Sequence, residues 1–252
     1  MTTIHEQTTD SWGKAFLFGF GAALAHRVLF GAWMAAVWLT GGVFFADKAD
    51  FQTPTSAMIP PLRGIEDILF GVWRRWDAIH YLNLAQNGYT PANEALSVFP
   101  PLTAWSIGAL HTVLPLDLAA MVFSTLAFGL ALTLLYRLCQ VYLKDESIAP
   151  WAVTIMALLP RSHFFSAPMT EGIYLAMTVG TFYFAVRGNF WGAALCGFLA
   201  TMARSPLAGA ARRVDRRVAR GRGPAGVPRG PAGAGALTPR GRRGAGAHRS
   251  GA

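Results

Sequence analysis

The sequence predicts an all-α polytopic membrane protein, and three observations carry that prediction. Of the 252 residues, 53% are hydrophobic and only 14% are charged, whereas soluble domains carry roughly 25% charged residues. Eight Trp and seventeen Phe add to the apolar content. Several uninterrupted apolar runs approach or exceed the roughly 20 residues that a helix needs to cross a bilayer. We therefore expect four to six membrane segments.

The first expected span covers residues 15–45 and contains His26 and Arg27. A charge at mid-membrane costs several kcal/mol (roughly 3) unless it reaches the surface or faces a polar interior. Arg27 is therefore either a packed, paired arginine or part of a site. Residues 1–14 carry acids and no basic run that would mark a signal peptide, so we expect an uncleaved span behind a short cytoplasmic segment.

A long polar loop, residues 46–97, separates this span from the next apolar run. Connections of this length are usually functional or disordered unless they contain structure of their own. Residues 64–84 have no proline and mix apolar with charged positions. We expect interfacial helices there, with the tryptophans at headgroup level.

Five further apolar runs follow the loop: 98–114, 116–143, 148–159, 172–186 and 190–203. Only the run 116–143 is long enough for an unambiguous span. If 98–114 enters and leaves on one side, Arg137, Lys144 and Arg187 all lie near the cytoplasmic face, as the positive-inside bias prefers. The loops 46–97 and 161–171 are then both extracytoplasmic, which is the arrangement we expect.

The net charge of +9 comes entirely from the C-terminal tail. Residues 1–206 hold eleven basic and twelve acidic residues, whereas residues 207–252 hold eleven arginines and one acid, Asp215. The tail is built from Gly, Ala, Arg and Pro without aromatic residues, so we expect disorder. RNA binding has no support in a membrane chain, and we expect no nucleic-acid partner. The abrupt change of composition also suggests reading in a shifted frame, which would leave the helical bundle incomplete and reduce its activity.

The most reactive composition lies in residues 74–89, RRWDAIHYLNLAQNGY. Asp77 and His80 are three residues apart and share one helical face. Asp77 either forms an ordinary pair with Arg74 or presents a carboxylate at the membrane surface, available as a general base. Spacing alone leaves both interpretations open.

A second polar segment, residues 159–175, is bracketed by Pro160 and Pro168. It contains Arg161, and Glu171 opens the next apolar run. Glu171 either complements the helix dipole or belongs to a polar cavity at the membrane face. No cofactor is identified, and although Asp77 with Glu171 could hold a divalent ion, no metal site is legible from two acids so far apart in sequence.

Together these segments resemble the PIG-V family of mannosyltransferases. WDAIHYLNLAQNGY followed by VFPPLTAW (residues 76–89 and 98–105) is similar to the family's first-loop signature, and the segment ending Met-Thr-Glu at Glu171 resembles its second motif. Met169 stands where that motif usually has tyrosine, and Pro101 and Thr103 vary the Phe-Pro run. The resemblance covers about residues 15–206.

The resemblance implies a GT-C type glycosyltransferase bundle in residues 15–206, with 46–97 as the catalytic loop. It implies a polyprenyl- or dolichyl-phosphate sugar donor, transfer of a hexose such as mannose, and a lipid, glycan or protein acceptor. By motif position, Asp77 is the catalytic base and Glu171 the second catalytic acid. Substrate-binding roles fall on their neighbours and on loop arginines: Trp76, His80, Tyr81, Arg74 and Arg161.

A bacterial cell membrane is the expected location, with membrane lipid as the immediate partner. The alternative is a non-enzymatic membrane protein, such as a transporter or flippase fragment or a packing subunit. Transporters usually show internal repeats and broken helices at mid-membrane. The sequence shows no repeat, and its acids lie in loops, which favours chemistry at a membrane face.

Overall fold

The computed structural model describes residues 4–41, 59–60, 62, 64–143 and 145–204. Every regular element in this part of the chain is helical, which confirms the all-α prediction for it. Two 3₁₀ segments, Gly71–Trp73 and Pro91–Val98, accompany the α-helices. These are α1 (Ile4–Gly41), α2 (Ile65–Phe70), α3 (Ala78–Asn87), α4 (Pro101–His111), α5 (Leu116–Leu143), α6 (Ile148–Leu158), α7 (His163–Ser166), α8 (Glu171–Val186) and α9 (Phe190–Ala203).

Two of the described helices are long and apolar enough to cross a membrane: Trp12–Val37 within α1, and the whole of α5. At about 1.5 Å per residue, each exceeds the roughly 30 Å of a hydrocarbon core. The helices α6, α8 and α9 are apolar but shorter. α1 begins at Ile4, so it includes most of the N-terminal segment predicted to precede the span, and residues 42–45 of that predicted span lie outside the described residues.

The ends of the later helices follow local sequence signals. Pro101 occupies the first turn of α4, where its missing N–H costs nothing. Asn189 caps α9 by accepting a 3.0 Å hydrogen bond from the backbone N–H of Gly192. α6 ends just before Pro160, which disfavours a helical conformation in the preceding residue. These signals explain why the predicted apolar runs and the observed helices nearly coincide.

The helix α5 lies at the centre, packed against α1, α4, α6, α7 and α8. Small residues bring α1 and α5 close together. A Cβ placed on Gly19 would lie 2.6 Å from the backbone nitrogen of Thr133, and one placed on Gly129 would lie 2.6 Å from Cδ1 of Phe20. Such close backbone approach is typical of helix pairs in membranes, where packing rather than water exclusion drives association.

The loop helices are part of the packed interior. α3 packs on α4 and α5 through a second apolar cluster, to which it contributes Tyr81, Leu82 and Leu84. The prediction of helices within 64–84 is therefore correct, but α3 buries one face against the protein, so it is more than a surface helix. The segment is also broken into α2 and α3 by a turn at residues 74–77. The predicted tail, 207–252, and residues 46–58 of the predicted loop lie outside the described residues.

Candidate active site

The turn between α2 and α3 holds Trp76 in a conformation that bulky residues rarely adopt. Its φ of 50° makes it the one residue other than glycine with positive φ in the described part of the chain. Such backbone strain costs about 1–3 kcal/mol and clusters at functional sites. The indole is 62% exposed, and it packs against the rings of Phe164 at 5.3 Å and His163 at 6.3 Å. The strained turn therefore holds an aromatic surface toward the exterior.

Asp77 follows immediately and begins α3. Its backbone carbonyl accepts hydrogen bonds from the amides of His80 at 3.0 Å and Tyr81 at 3.1 Å. Its side chain makes no capping bond, although an aspartate at this position commonly does. The residue is exposed, so its carboxylate is accessible to a substrate.

Arg74 does not pair with Asp77, which corrects one of the two sequence interpretations. Its Nε and Nη2 instead donate to the two carboxylate oxygens of Asp117, at 2.7 and 2.6 Å, and its Nη1 donates to the carbonyl of Pro60 at 2.5 Å. The broken helix at Trp76 removes the geometry that would align residues three apart. A substrate phosphate would have to displace Asp117 to reach Arg74.

His80 lies one turn into α3, against the ring of Phe99 at 4.9 Å. Its Nδ1 is buried and has no hydrogen-bond partner among the described residues. Burial lowers the pKa of His80, and the nearby charge of Asp77 partly opposes that change. The imidazole is therefore neutral at pH 7, with one ring nitrogen left for a partner from outside.

Tyr81 joins the two polar segments of the sequence. The side chain is only 3% exposed, so the predicted substrate-binding role cannot involve wide direct contact. The pKa of its hydroxyl is raised first by burial and then by the charges of Asp77 and Glu171, while the nearby Thr170 side chain opposes the rise. Both carboxylates therefore lie within electrostatic reach of one buried phenol.

Glu171 begins α8, as the sequence predicted, and its two oxygens differ. Oε1 lies 3.6 Å from Nη1 of Arg204, while Oε2 is buried without a hydrogen-bond partner in the described residues. Native proteins rarely leave such an atom unsatisfied without reason. Arg204 also lies over the ring of Tyr174. It was not predicted as a site residue, because it reaches Glu171 through the packing of α8 against α9 and the two residues are distant in sequence.

The turn before α7 carries the remaining predicted residue. Arg161 is exposed there, while the next polar residue, Ser162, is fully buried. The ring of His163 is tilted against that of Trp76 at 6.3 Å and lies 4.2 Å from that of Phe164. The structure therefore brings the second segment to the first through His163 and Phe164, to which the sequence analysis assigned no role.

The described residues contain no group of three or more His, Cys, Asp or Glu side chains able to hold a metal ion. The suggestion that Asp77 and Glu171 share a divalent ion accordingly stays a prediction. What the arrangement offers is an accessible carboxylate, a second carboxylate with one unsatisfied oxygen, a neutral imidazole and an exposed indole. Proton transfer to a carboxylate and recognition of a polyhydroxylated ligand are both within its chemistry.

Apolar helices of membrane-crossing length, beside a strained polar turn that carries an exposed carboxylate, are typical of a helical membrane-bound enzyme. A family model described as mannosyltransferase (PIG-V) matches residues 51–214, more than half of the chain. The chain belongs to this family, which confirms the resemblance drawn from its two motifs. The match begins at residue 51 rather than at the first span.

Three curated relatives are similar to the chain. GPI mannosyltransferase pigv-1 of Caenorhabditis elegans is 27% identical over 155 residues, covering 51% of the chain and 22% of that protein. GPI mannosyltransferase 2 of Aspergillus fumigatus is 23% identical over 167 residues, 62% of the chain and 33% of that protein. GPI mannosyltransferase 2 of Schizosaccharomyces pombe is 24% identical over 139 residues, 54% of the chain and 30% of that protein.

The chain thus spans a third or less of the length of these relatives. All three come from eukaryotes, so they give no support to the expected bacterial cell membrane. No solved structure matches the chain.

Proposed function

We propose that this chain contains the catalytic region of a membrane glycosyltransferase, which moves a mannose from a lipid-phosphate-linked donor to an acceptor hydroxyl. Membership of the mannosyltransferase (PIG-V) family supports the reaction class. The observation that carries the site assignment is the packing of Trp76, the residue before Asp77, against His163 and Phe164 of the second segment. The charges of Asp77 and Glu171 also both act on the buried hydroxyl of Tyr81. We therefore assign the two motifs, far apart in sequence, to one site.

The proposed reaction needs little more than placement and one proton acceptor. The acceptor oxygen attacks the anomeric carbon, the bond from that carbon to the phosphate oxygen breaks, and the lipid phosphate leaves with the electron pair. Asp77 takes the hydroxyl proton as the new bond forms, a contribution of roughly 10²–10⁴-fold. Its exposure and its unused side chain at the start of α3 suit this role.

Other residues of the site fit supporting roles in this proposal. Glu171 presents the unsatisfied Oε2 to a sugar or acceptor hydroxyl, while Arg204 balances its charge. His80 offers a neutral ring nitrogen to a hydroxyl, and Trp76 offers an exposed indole to the apolar face of a sugar. Arg161 is exposed at the same segment and available to the departing phosphate.

The proposed architecture is a GT-C type bundle in residues 15–206. In it α1 and α5 cross the membrane, the shorter apolar helices complete the bundle, and 46–97 forms an extracytoplasmic loop. α4 has eleven residues, so it spans only about 17 Å, which suits a segment that enters and leaves on the same side. Membrane lipid surrounds this bundle, and the donor carries a polyprenyl or dolichyl chain.

The test is transfer of mannose from a mannosyl polyprenyl phosphate by membranes containing Asp77→Asn. We expect a loss of roughly 10²–10⁴-fold in kcat with normal insertion, because asparagine cannot take the proton. Glu146→Gln is the matched control, since Glu146 is an exposed acid on the turn between α5 and α6. Wild-type transfer by Asp77→Asn would refute the assignment of Asp77 as the base.

A further inference from the structure

The helix α7 is too short to hold its own position. It has four residues, His163–Ser166, and a single helical turn is unstable without tertiary contacts. The serines at its two ends, Ser162 and Ser166, both bond to one side chain of α1. Nδ1 of His26 lies 2.7 Å from Oγ of Ser166, and Nε2 lies 3.0 Å from Oγ of Ser162. All three side chains are buried.

Additional hydrogen bonds connect α7 to α5. The Oγ of Ser124 donates to the backbone carbonyl of Ser166 at 3.0 Å and accepts from Nη2 of Arg27 at 2.7 Å. Nε of Arg27 donates to Oγ1 of Thr125 at 2.9 Å, and the guanidinium lies 5.0 Å from the ring centre of Trp73. Arg27 is therefore a packed arginine, and it completes a polar network that ties α1, α5 and α7 together.

α7 in turn supports both halves of the candidate site. His163 and Phe164, within α7, pack against Trp76, the residue before Asp77. The chain then runs from the end of α7 to Thr170, whose side chain is near the Tyr81 hydroxyl, and to Glu171. A shift of α7 would therefore move the base and the second carboxylate relative to each other. Misplacement of reacting groups by about 1 Å can cost roughly 10²-fold in rate.

We propose that His26 is a positioning residue that fixes α7 and, through it, the geometry between Asp77 and Glu171. The proposal rests on the proposed glycosyl transfer. A neutral imidazole has one nitrogen that donates and one that accepts, so it can bond two hydroxyl groups at once. Phenylalanine fills a similar space and bonds neither serine, whereas glutamine retains a donor and an acceptor. The pair of substitutions separates hydrogen bonding from simple packing.

The experiment compares His26→Phe and His26→Gln in the full chain, embedded in lipid nanodiscs. For His26→Phe we expect kcat to fall by roughly 10²-fold, with a much smaller change in donor KM. We expect His26→Gln to recover part of that loss. Thr133→Val is the matched control, because it removes a buried 2.8 Å bond from Thr133 to the carbonyl of Gly129 on α5, outside the network. It should change stability without changing kcat.

Hydrogen–deuterium exchange of peptides covering 160–171 gives a second result that does not depend on transfer. Exchange should be faster in His26→Phe and in Ser166→Ala, which keeps the proposal testable if the histidine variant fails to insert. It should be unchanged in Thr133→Val. Unchanged exchange in both network variants, or an equal kcat loss in Thr133→Val, would overturn the proposal. A further outcome is that exchange rises in the network variants while Asp77→Asn transfers mannose at the wild-type rate. In that case the proposed function is refuted, but the role of His26 in holding α7 is supported.

Discussion

Breaking the ion pair between Arg74 and Asp117 should lower the Tm of the protein. Its effect on donor binding should be secondary. The side chains are 11% and 14% exposed and are joined by two hydrogen bonds of 2.7 and 2.6 Å. Removing one partner of a buried ion pair leaves the other charge buried without a partner, which lowers the free energy of unfolding by about 3–5 kcal/mol. For a chain of this size that corresponds to a fall of roughly 6–20 °C in Tm.

The two single variants should differ in a direction that the structure sets. Arg74→Met leaves the Asp117 carboxylate without its partner, so it should reach the upper part of that range. Asp117→Asn keeps an acceptor in place, and Arg74 also keeps its bond to the carbonyl of Pro60, so the loss should be smaller. The double variant Arg74→Met/Asp117→Leu leaves neither charge and should recover most of the stability.

The assay is thermal unfolding in detergent, with the donor KM measured on the same preparations. The alternative that this experiment decides is the predicted substrate-binding role of Arg74. If Arg74→Met keeps the wild-type Tm but raises the donor KM strongly, the ion pair is not structural and the arginine binds substrate. A double variant as unstable as Arg74→Met would also contradict the reasoning, because it would show that charge stranding is not the cause.

Two further predictions concern the exposed part of the site. Because burial holds the pKa of His80 below its ordinary value of about 6.5, the folded state favours the neutral ring. Its contribution to stability is complete above about pH 6.5 and is lost as the pH falls toward the folded pKa. His80→Gln should therefore flatten the dependence of Tm on pH below about 6.5, and parallel curves would contradict this. Trp76→Ala should raise the donor KM about fivefold, from a stacking contribution of about 1 kcal/mol. Trp151→Ala, which removes an equally exposed indole on α6, is its control; equal effects of the two would remove the stacking role.

The later helices were predictable because local rules decide them. The apolar runs 116–143 and 190–203 coincide with α5 and α9, and 172–186 differs from α8 by one residue. Each run is apolar, and a helix-ending or helix-capping residue lies at or near one end of each: Pro115, Gly188 and Asn189. The same rules could not find the turn at Trp76, because tryptophan is an unfavourable residue for positive φ and its packing against Phe164 of α7 is a long-range contact.

The sequence could predict which residues belong to the candidate site, but not which of them contact one another. Asp77 and Glu171 could be selected from motif positions, yet nothing local indicates that both of their charges act on Tyr81. Spacing allowed a pair between Arg74 and Asp77, whereas the observed partner of Arg74, Asp117, is 43 residues away. Long-range contacts of this kind depend on how α3, α4 and α5 pack, which a periodic pattern does not specify.

The separation between His26 and its partners has a consequence for how the chain is made. The serines that bond His26 lie 136 and 140 residues later, and the side chains that bond Arg27 lie 94 to 98 residues later. At about 5–20 residues per second, a ribosome needs roughly 5–30 s to deliver them. In the proposed topology, α1 therefore waits in the bilayer with a histidine and an arginine unsatisfied. During that interval the helix depends on the insertion machinery, on snorkelling or on water defects to tolerate these groups. While it waits for these partners, the nascent first span is thus vulnerable to failed insertion.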